Sequence, residues 1–313
     1  MRHGVLIFER YYRGFTPDSY FTVNSVTKSV LSALVGIALR DGLIDSLDRP
    51  LASLLPAARE HAEKGAITLR QILSMTSGLP YGPESYTRYA SQDRLVARIL
   101  ERPMAAQPGS RFRYEEDGPH LLSAAFSHLT GGNAAVFAQR EMFAPIGVWP
   151  HRDYAFLRDA AAGRLHVPSE FGFWPSNTTD PPWKTDHEGH AIGGVGAHFT
   201  IREMARFGLL YARGGRWRER QIVPPQLVAE STISHSPGGS PMWMPYGYFW
   251  WIPTWHRHPA MIAAGFGGQE IYVNPALDLV VAIACQRQPG GPDDNSNVLT
   301  RYILPSIQDW GSP

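Results

Sequence analysis

Ser25 and Lys28 stand three positions apart in Phe21-Thr22-Val23-Asn24-Ser25-Val26-Thr27-Lys28-Ser29-Val30-Leu31. A serine and a lysine at that spacing can make a nucleophile with its own base. Of the 29 Lys and Arg residues only Lys28, Lys64 and Lys184 are lysines. Arginine stays protonated at any working pH, whereas a buried lysine can lose a proton and accept another. A free lysine has a pKa of about 10.4, so a neutral amine at pH 7 requires its environment to disfavour the charge by about 4 kcal/mol. Burial is the expected cause. Spacing alone also fits a helix-start serine beside a surface charge, so the elements around the pair matter.

From Ser25 to Leu39 the residues Val26, Val30, Leu31, Leu34, Val35, Ala38 and Leu39 recur at helical spacing, and Gly42 supplies a stop. Asn24 is the expected N-cap, which places Ser25 in the first turn, at the positive end of the helix dipole. Lys28, about one turn on, shares its face. Before this helix, Val5 to Tyr12 and Tyr20 to Val23 read as strands; after it, Asp45 to Ala66 is loop-like. Helices are expected over Thr68–Met75, Asp93–Leu100, His120–Thr130, from Ala134 to Phe143, and over Ile201–Ala212. The stretch Val148–Gly196, rich in Pro, Gly, Trp and His, reads as loops over a pocket. Strands follow at Tyr246–Ile252, Ala260–Ala264, Glu270–Val273 and Leu279–Cys285, then a closing helix over Asn297–Ile307.

This order predicts an α/β chain of the α+β type, with an antiparallel sheet shared by the two chain ends and flanked by helices. One catalytic unit is expected, with an α/β subdomain over 1–50 and 200–313 and a mostly helical subdomain over 51–199. The site would lie between them.

Composition narrows the function. Charged residues are 18%, apolar residues 43% and net charge is +1, which suits a globular protein with no nucleic-acid partner. The single cysteine, Cys285, excludes an intrachain disulfide and a multi-cysteine zinc site, and reads as a buried strand thiol. His187-Glu188-Gly189-His190 and His256-Arg257-His258 do not match His-Glu-x-x-His, so neither a metal nor another cofactor is expected. There is no Gly-x-Ser-x-Gly pentapeptide of the conventional Ser-His-Asp hydrolases. No apolar run approaches the ~20 residues of a membrane span. The apolar stretch Val5-Leu6-Ile7-Phe8 is too short for a signal-peptide core, and a cytoplasmic location is expected.

Five ordered blocks carry a wider resemblance. They are Phe21 to Ser29, Ile67 to Leu79, Pro108-Gly109-Ser110-Arg111-Phe112-Arg113-Tyr114, Gly193-Gly194-Val195-Gly196 leading to Arg202 to Gly208, and Ala263-Ala264-Gly265-Phe266-Gly267-Gly268-Gln269. Over nearly its whole length the chain resembles the serine β-lactamase and penicillin-binding protein superfamily, in its class C and esterase branch. Within that branch it is similar to the 6-aminohexanoate-dimer hydrolases. The resemblance implies a β-lactamase/transpeptidase-like fold, an acylated Ser25, Lys28 as its base and Tyr114 as the tyrosine of the second motif. It assigns the oxyanion N–H groups to Ser25 and Phe266.

Two departures bear on substrate. The family's second motif is Tyr-x-Asn, and Glu116 stands at its asparagine. A carboxylate close to Lys28 would raise the lysine pKa, so Glu116 is expected to point away or to be protonated. The third motif, Lys-Thr-Gly or His-Thr-Gly, falls on Ala263-Ala264-Gly265, without the cation or the hydroxyl that in β-lactamases bind a substrate carboxylate. Gly265 keeps close backbone approach along the strand. The expected activity is therefore hydrolysis of a small ester or amide, by a carboxylesterase or an amidase of the 6-aminohexanoate-oligomer type. A peptidase-like enzyme with weak β-lactam activity and an inactive binding protein are the alternatives. Gly265, Glu116, Tyr86 and Trp174 are expected at the substrate. Tyr81, Trp183, Trp243 and Trp250 are further aromatic candidates for the pocket, packing being the usual fate of any one.

Overall fold

A computed structural model describes residues 1–80, 93–149, 183–254, 258–285, 295 and 298–307. Tyr81, Tyr86, Trp174 and most of the Val148–Gly196 stretch lie outside them.

Strand β1 (Tyr20–Thr22) leads into helix α1 (Val26–Arg40). Every residue of α1 from Val26 to Ala38 is buried. A helix buried all round belongs inside a core, and here it seals Lys28 from solvent while Ser25, just before the helix, stays half-buried. Helix α2 (Leu69–Leu73) starts on a capping box made by Thr68 and Gln71. Helices α3 (Leu95–Glu101), α4 (Asp117–Thr130) and α5 (Ala134–Ala138) follow. Strand β2 (His198–Thr200) pairs antiparallel with β1, Tyr20 opposite Thr200, and runs into α6 (Ile201–Ala212) through a second capping box, Thr200 with Glu203. Helix α7 (Pro225–Ser231) packs against α1.

The main sheet is antiparallel. Strands β3 (Ser236–Gly239) and β4 (Met244–Tyr246) form a hairpin joined through bridges at Trp251 to β5 (Met261–Gly265). Strands β6 (Gln269–Asn274) and β7 (Leu279–Ile283) complete it. At its far edge Arg2 bridges Leu279, and the Met1 carbonyl accepts from Val280 N at 2.9 Å. The N-terminus thus meets this sheet only through a bridge at its edge, while β1 and β2 form a separate two-stranded sheet, which corrects the expectation of one sheet shared by the two chain ends; α1 and α6 pack on the main sheet. No helix among the described residues is long and apolar enough to cross a membrane.

Several expectations are corrected. Val5 to Tyr12 forms no strand beyond a bridge at Val5, and Val5, Leu6, Ile7, Phe8 and Tyr12 are exposed. Among the described residues no strand pairs with this stretch, and propensity in a sheet expresses packing against neighbours. The Tyr246–Ile252 run is also not one strand, because Phe249 adopts φ 62° and breaks it. Cys285 lies just beyond β7 and is only half-buried. Asn24 is not the N-cap: it sits at φ 48°, and Ser25 flanks the helix with φ −67° and ψ −5°.

Candidate active site

The turn before α1 is held from two sides. Val23 N donates to Ala197 O at 2.9 Å, and Ala197 N donates to the Thr27 hydroxyl at 3.3 Å. On the other side Asn24 Nδ2 donates to Phe266 O at 2.6 Å. A side chain on Gly265 would come within 2.2 Å of Val23 O, so the end of β5 can lie against the Val23–Ser25 turn only because residue 265 has none. Ser25, Gly194 and the Gly265–Phe266 peptide thereby converge.

Lys28 is fully buried and reaches four acceptors. Its Nζ donates to Ser25 Oγ at 3.0 Å, to Glu116 Oε1 and Oε2 at 2.8 Å each, and to Gly194 O at 2.9 Å. An ammonium has three N–H donors and suits this surrounding; a neutral amine would turn its lone pair toward one of the acceptors. Burial by itself pushes the Lys28 pKa down, but the Glu116 carboxylate, with Tyr114 adding to it, outweighs burial and holds the pKa above its ordinary value. The expectation of a lysine neutralised by burial is therefore corrected, and so is that of a Glu116 turned away. A paired charge escapes the desolvation that would strip an unpaired one.

Gly194 makes this pairing possible. A Cβ at residue 194 would lie 1.7 Å from Glu116 Oε2 and 3.3 Å from Lys28 Nζ. Gly194→Ala is accordingly expected to push the carboxylate off Lys28 and lower kcat/KM by about 100-fold, with a change in Tm of only a few degrees. Steady-state kinetics beside thermal denaturation reads both, and an alanine variant with the parent rate would contradict the contact.

Tyr114 is half-buried, and its hydroxyl interacts with both Ser25 and Lys28. Burial raises its pKa, the neighbouring Lys28 charge draws it back, and Glu116 raises it again; the result is above the ordinary value, so the phenol is protonated at neutral pH. Its ring stacks on Trp251 with centroids 5.4 Å apart and meets Tyr246 edge-on at 6.0 Å. The Lys28 ammonium lies 4.9 Å from the ring centroid. Trp251 and Tyr246, both buried, are the residues that sequence reasoning missed. The local signal was the aromatic run Tyr246-Gly247-Tyr248-Phe249-Trp250-Trp251, which says nothing of which ring would face Tyr114.

Beside Glu116, Glu115 is buried and accepts from Gly118 N at 2.8 Å and from the Ser77 hydroxyl at 3.2 Å. Burial, reinforced by the charges of Asp117 and Glu116, lifts its pKa to about 8. Above about pH 4.5 the unfolded chain has released this proton, while the folded protein keeps it to about 8. Unfolding within that window releases a proton, so stability falls as pH rises through it and levels off above, by a few kcal/mol in order of magnitude. Glu115→Gln is expected to remove the slope and to raise Tm more at about pH 9 than at about pH 5. Equal gains at both pH values would contradict it.

Among the other residues singled out, Trp183 and Trp250 are buried packing groups, and Trp243 is 80% exposed. Asp186, Glu188 and His190 bring ligand-type atoms within 4.8 Å of one another. Their contacts build a turn: Asp186 Oδ1 accepts from Glu188 N and His190 N at 2.9 Å each, and Oδ2 meets His120 Nε2 at 3.0 Å.

The sequence profile of the Beta-lactamase family matches residues 1–302. The chain is 26% identical over 218 residues to the lovastatin esterase of Penicillium rubens, covering 61% of this chain and 51% of that protein, so it spans about half of that relative's length. It is 23% identical over 289 residues to the 6-aminohexanoate-dimer hydrolase of Paenarthrobacter ureafaciens, covering 90% of this chain and 70% of that one. Among solved structures, a candidate 6-aminohexanoate-dimer hydrolase from Bacillus anthracis superposes with a TM-score of 0.72 at 22% identity, over 97% of this chain and 76% of that one. The fold is therefore β-lactamase/transpeptidase-like, and the chain belongs to the Beta-lactamase family.

Proposed function

We propose that this protein is a serine hydrolase that cleaves a small ester or amide through an acyl-enzyme on Ser25. The observation that carries the reading is the fully buried Lys28 Nζ at 3.0 Å from Ser25 Oγ, with the Tyr114 hydroxyl interacting with both. A serine hydroxyl held between a proton carrier and a phenol is placed for nucleophilic attack and for return of the proton. Ser25 Oγ attacks the carbonyl, its proton leaves through Lys28, and Tyr114 delivers a proton to the departing oxygen or nitrogen. Water then attacks the acyl-enzyme along the same path. The backbone N–H groups of Ser25 and Phe266 are assigned to the developing oxyanion, such donors contributing about 3 kcal/mol each.

The missing cation and hydroxyl at Ala263-Ala264 favour an ester or a small amide over a β-lactam, whose carboxylate would find no partner there. The relatives named as an esterase and as a dimer hydrolase support the same class. Gly265 serves this pocket by lying close to the Ser25 turn; Tyr86 and Trp174, outside the described residues, remain proposed substrate-binding residues.

The test is turnover of p-nitrophenyl butyrate together with the intact mass after treatment with a fluorophosphonate. One adduct, mapped to the tryptic fragment 14–28, is expected. No turnover and no adduct would sink the hydrolase reading and leave a binding protein on an enzyme's fold.

A further inference from the structure

We infer that Glu116 receives the proton that Ser25 gives up, so that Lys28 and Glu116 act as one proton-carrying pair. The inference rests on the reading of Ser25 as the nucleophile. A lysine whose N–H groups already meet Ser25 Oγ, the Glu116 carboxylate and Gly194 O has no lone pair for the serine proton. Some group must take a proton from Nζ as the serine delivers one. Tyr114 is protonated and cannot do so. Glu116 can, with both oxygens 2.8 Å from Nζ.

The surroundings are shaped for this carboxylate. Gly194 leaves open the space that Oε2 fills, since a Cβ there would sit 1.7 Å away. The Glu116 side chain is 25% exposed while Lys28 is 0%, so the carboxylate lies on the outer side of the pair. The ionisable groups acting on this cluster are Lys28 from α1, Tyr114 and Glu115 from its own segment, Asp117 at the start of α4, and Tyr246 from β4.

The step balances. As Ser25 Oγ bonds to the acyl carbon, its proton moves to Nζ and one Nζ proton moves to a Glu116 oxygen. Lys28 carries three protons before and after, the carboxylate becomes a carboxylic acid, and the negative charge now resides on the tetrahedral intermediate. On collapse Glu116 returns its proton to Nζ, Nζ passes one to the Tyr114 oxygen, and Tyr114 passes its own to the leaving group. The C–O or C–N bond breaks and the alcohol or amine departs. Glu116 acts through Lys28, as a positioning residue for its protons, and does not touch the substrate.

The experiment measures kcat/KM on p-nitrophenyl butyrate across about pH 5 to 10 for the parent, Glu116→Gln and Glu116→Asp, with a proton inventory on the parent. Glutamine keeps the shape and a hydrogen bond but cannot hold the proton; its kcat/KM is expected to fall about 100-fold or more at every pH. Aspartate keeps the carboxylate and should stay within about tenfold of the parent. Two protons in flight should bow the inventory. A Gln variant with the full rate, whose acidic limb moves to lower pH because burial then acts on Lys28 alone, would overturn the inference. So would a linear inventory, which is measured on the parent and needs no variant to fold. A parent protein with neither turnover nor adduct would instead remove the hydrolase reading, and this inference with it.

Discussion

Replacing Ser25 with alanine is expected to lower kcat/KM on p-nitrophenyl butyrate by about 10⁴-fold or more, and to abolish the fluorophosphonate adduct. The loss is large because groups that act as a unit do not share their effect. Without Oγ, the protons of Lys28 and Tyr114 have no acyl transfer to serve, and only substrate binding and the oxyanion donors remain. Ser25 makes no side-chain cap hydrogen bond to α1, and the Lys28 ammonium that loses Oγ as an acceptor keeps Glu116 and Gly194 O. Tm should therefore stay within a few degrees of the parent. A variant that keeps its Tm and its rate would transfer the nucleophile elsewhere; one that loses the rate and keeps the adduct would place a second reactive hydroxyl near the site.

Lys28→Met is expected to cost about 10³-fold in kcat/KM and to destabilise the fold as well. The methionine fills much of the same volume but leaves the Glu116 carboxylate facing Gly194 O with no cation between them. Stranding one partner of a buried pair costs about 3–5 kcal/mol when both are sealed from water. The Glu116 side chain is 25% exposed, so water takes up part of that and about 1–2 kcal/mol is expected. Lys28→Arg separates charge from proton transfer. It restores a cation beside Glu116 but should leave the rate as low as in the Met variant, since a guanidinium does not give up its proton. An Arg variant with near-parent activity would show that Lys28 acts as a charge alone.

How much of this was legible depends on the range of the interaction involved. Ser25 and Lys28 are three residues apart, and the helical spacing of Val26, Val30, Leu31 and Leu34 suffices to put them on one face. Thr68 with Gln71 and Thr200 with Glu203 mark helix starts locally, and α6 has the bounds its periodicity gives. Glu116 could not be placed this way. Whether it faces Lys28 is settled by Gly194, 78 positions further on, whose missing side chain opens the space. Burial of Lys28 alone would lower its pKa, and the Glu116 charge that reverses the sign lies 88 residues away in sequence. Val5 to Tyr12 shows the converse failure: strand-forming residues are visible in sequence, but a strand also needs a partner, and none lies beside them among the described residues.

The contacts of Lys28 Nζ also bear on when activity arises during folding. Its bonds to Glu116 and Gly194 span 88 and 166 residues. Closing loops of that size is slow compared with winding the helix that carries Ser25 and Lys28. Ser25 and Lys28 can therefore share a helical turn long before Glu116 and Gly194 reach Nζ, and on the proposed mechanism acylation competence is expected only of the late, fully closed chain. A nascent or partly unfolded molecule would carry the motif without its long-range partners, so the proposed hydrolysis is expected of the native state alone.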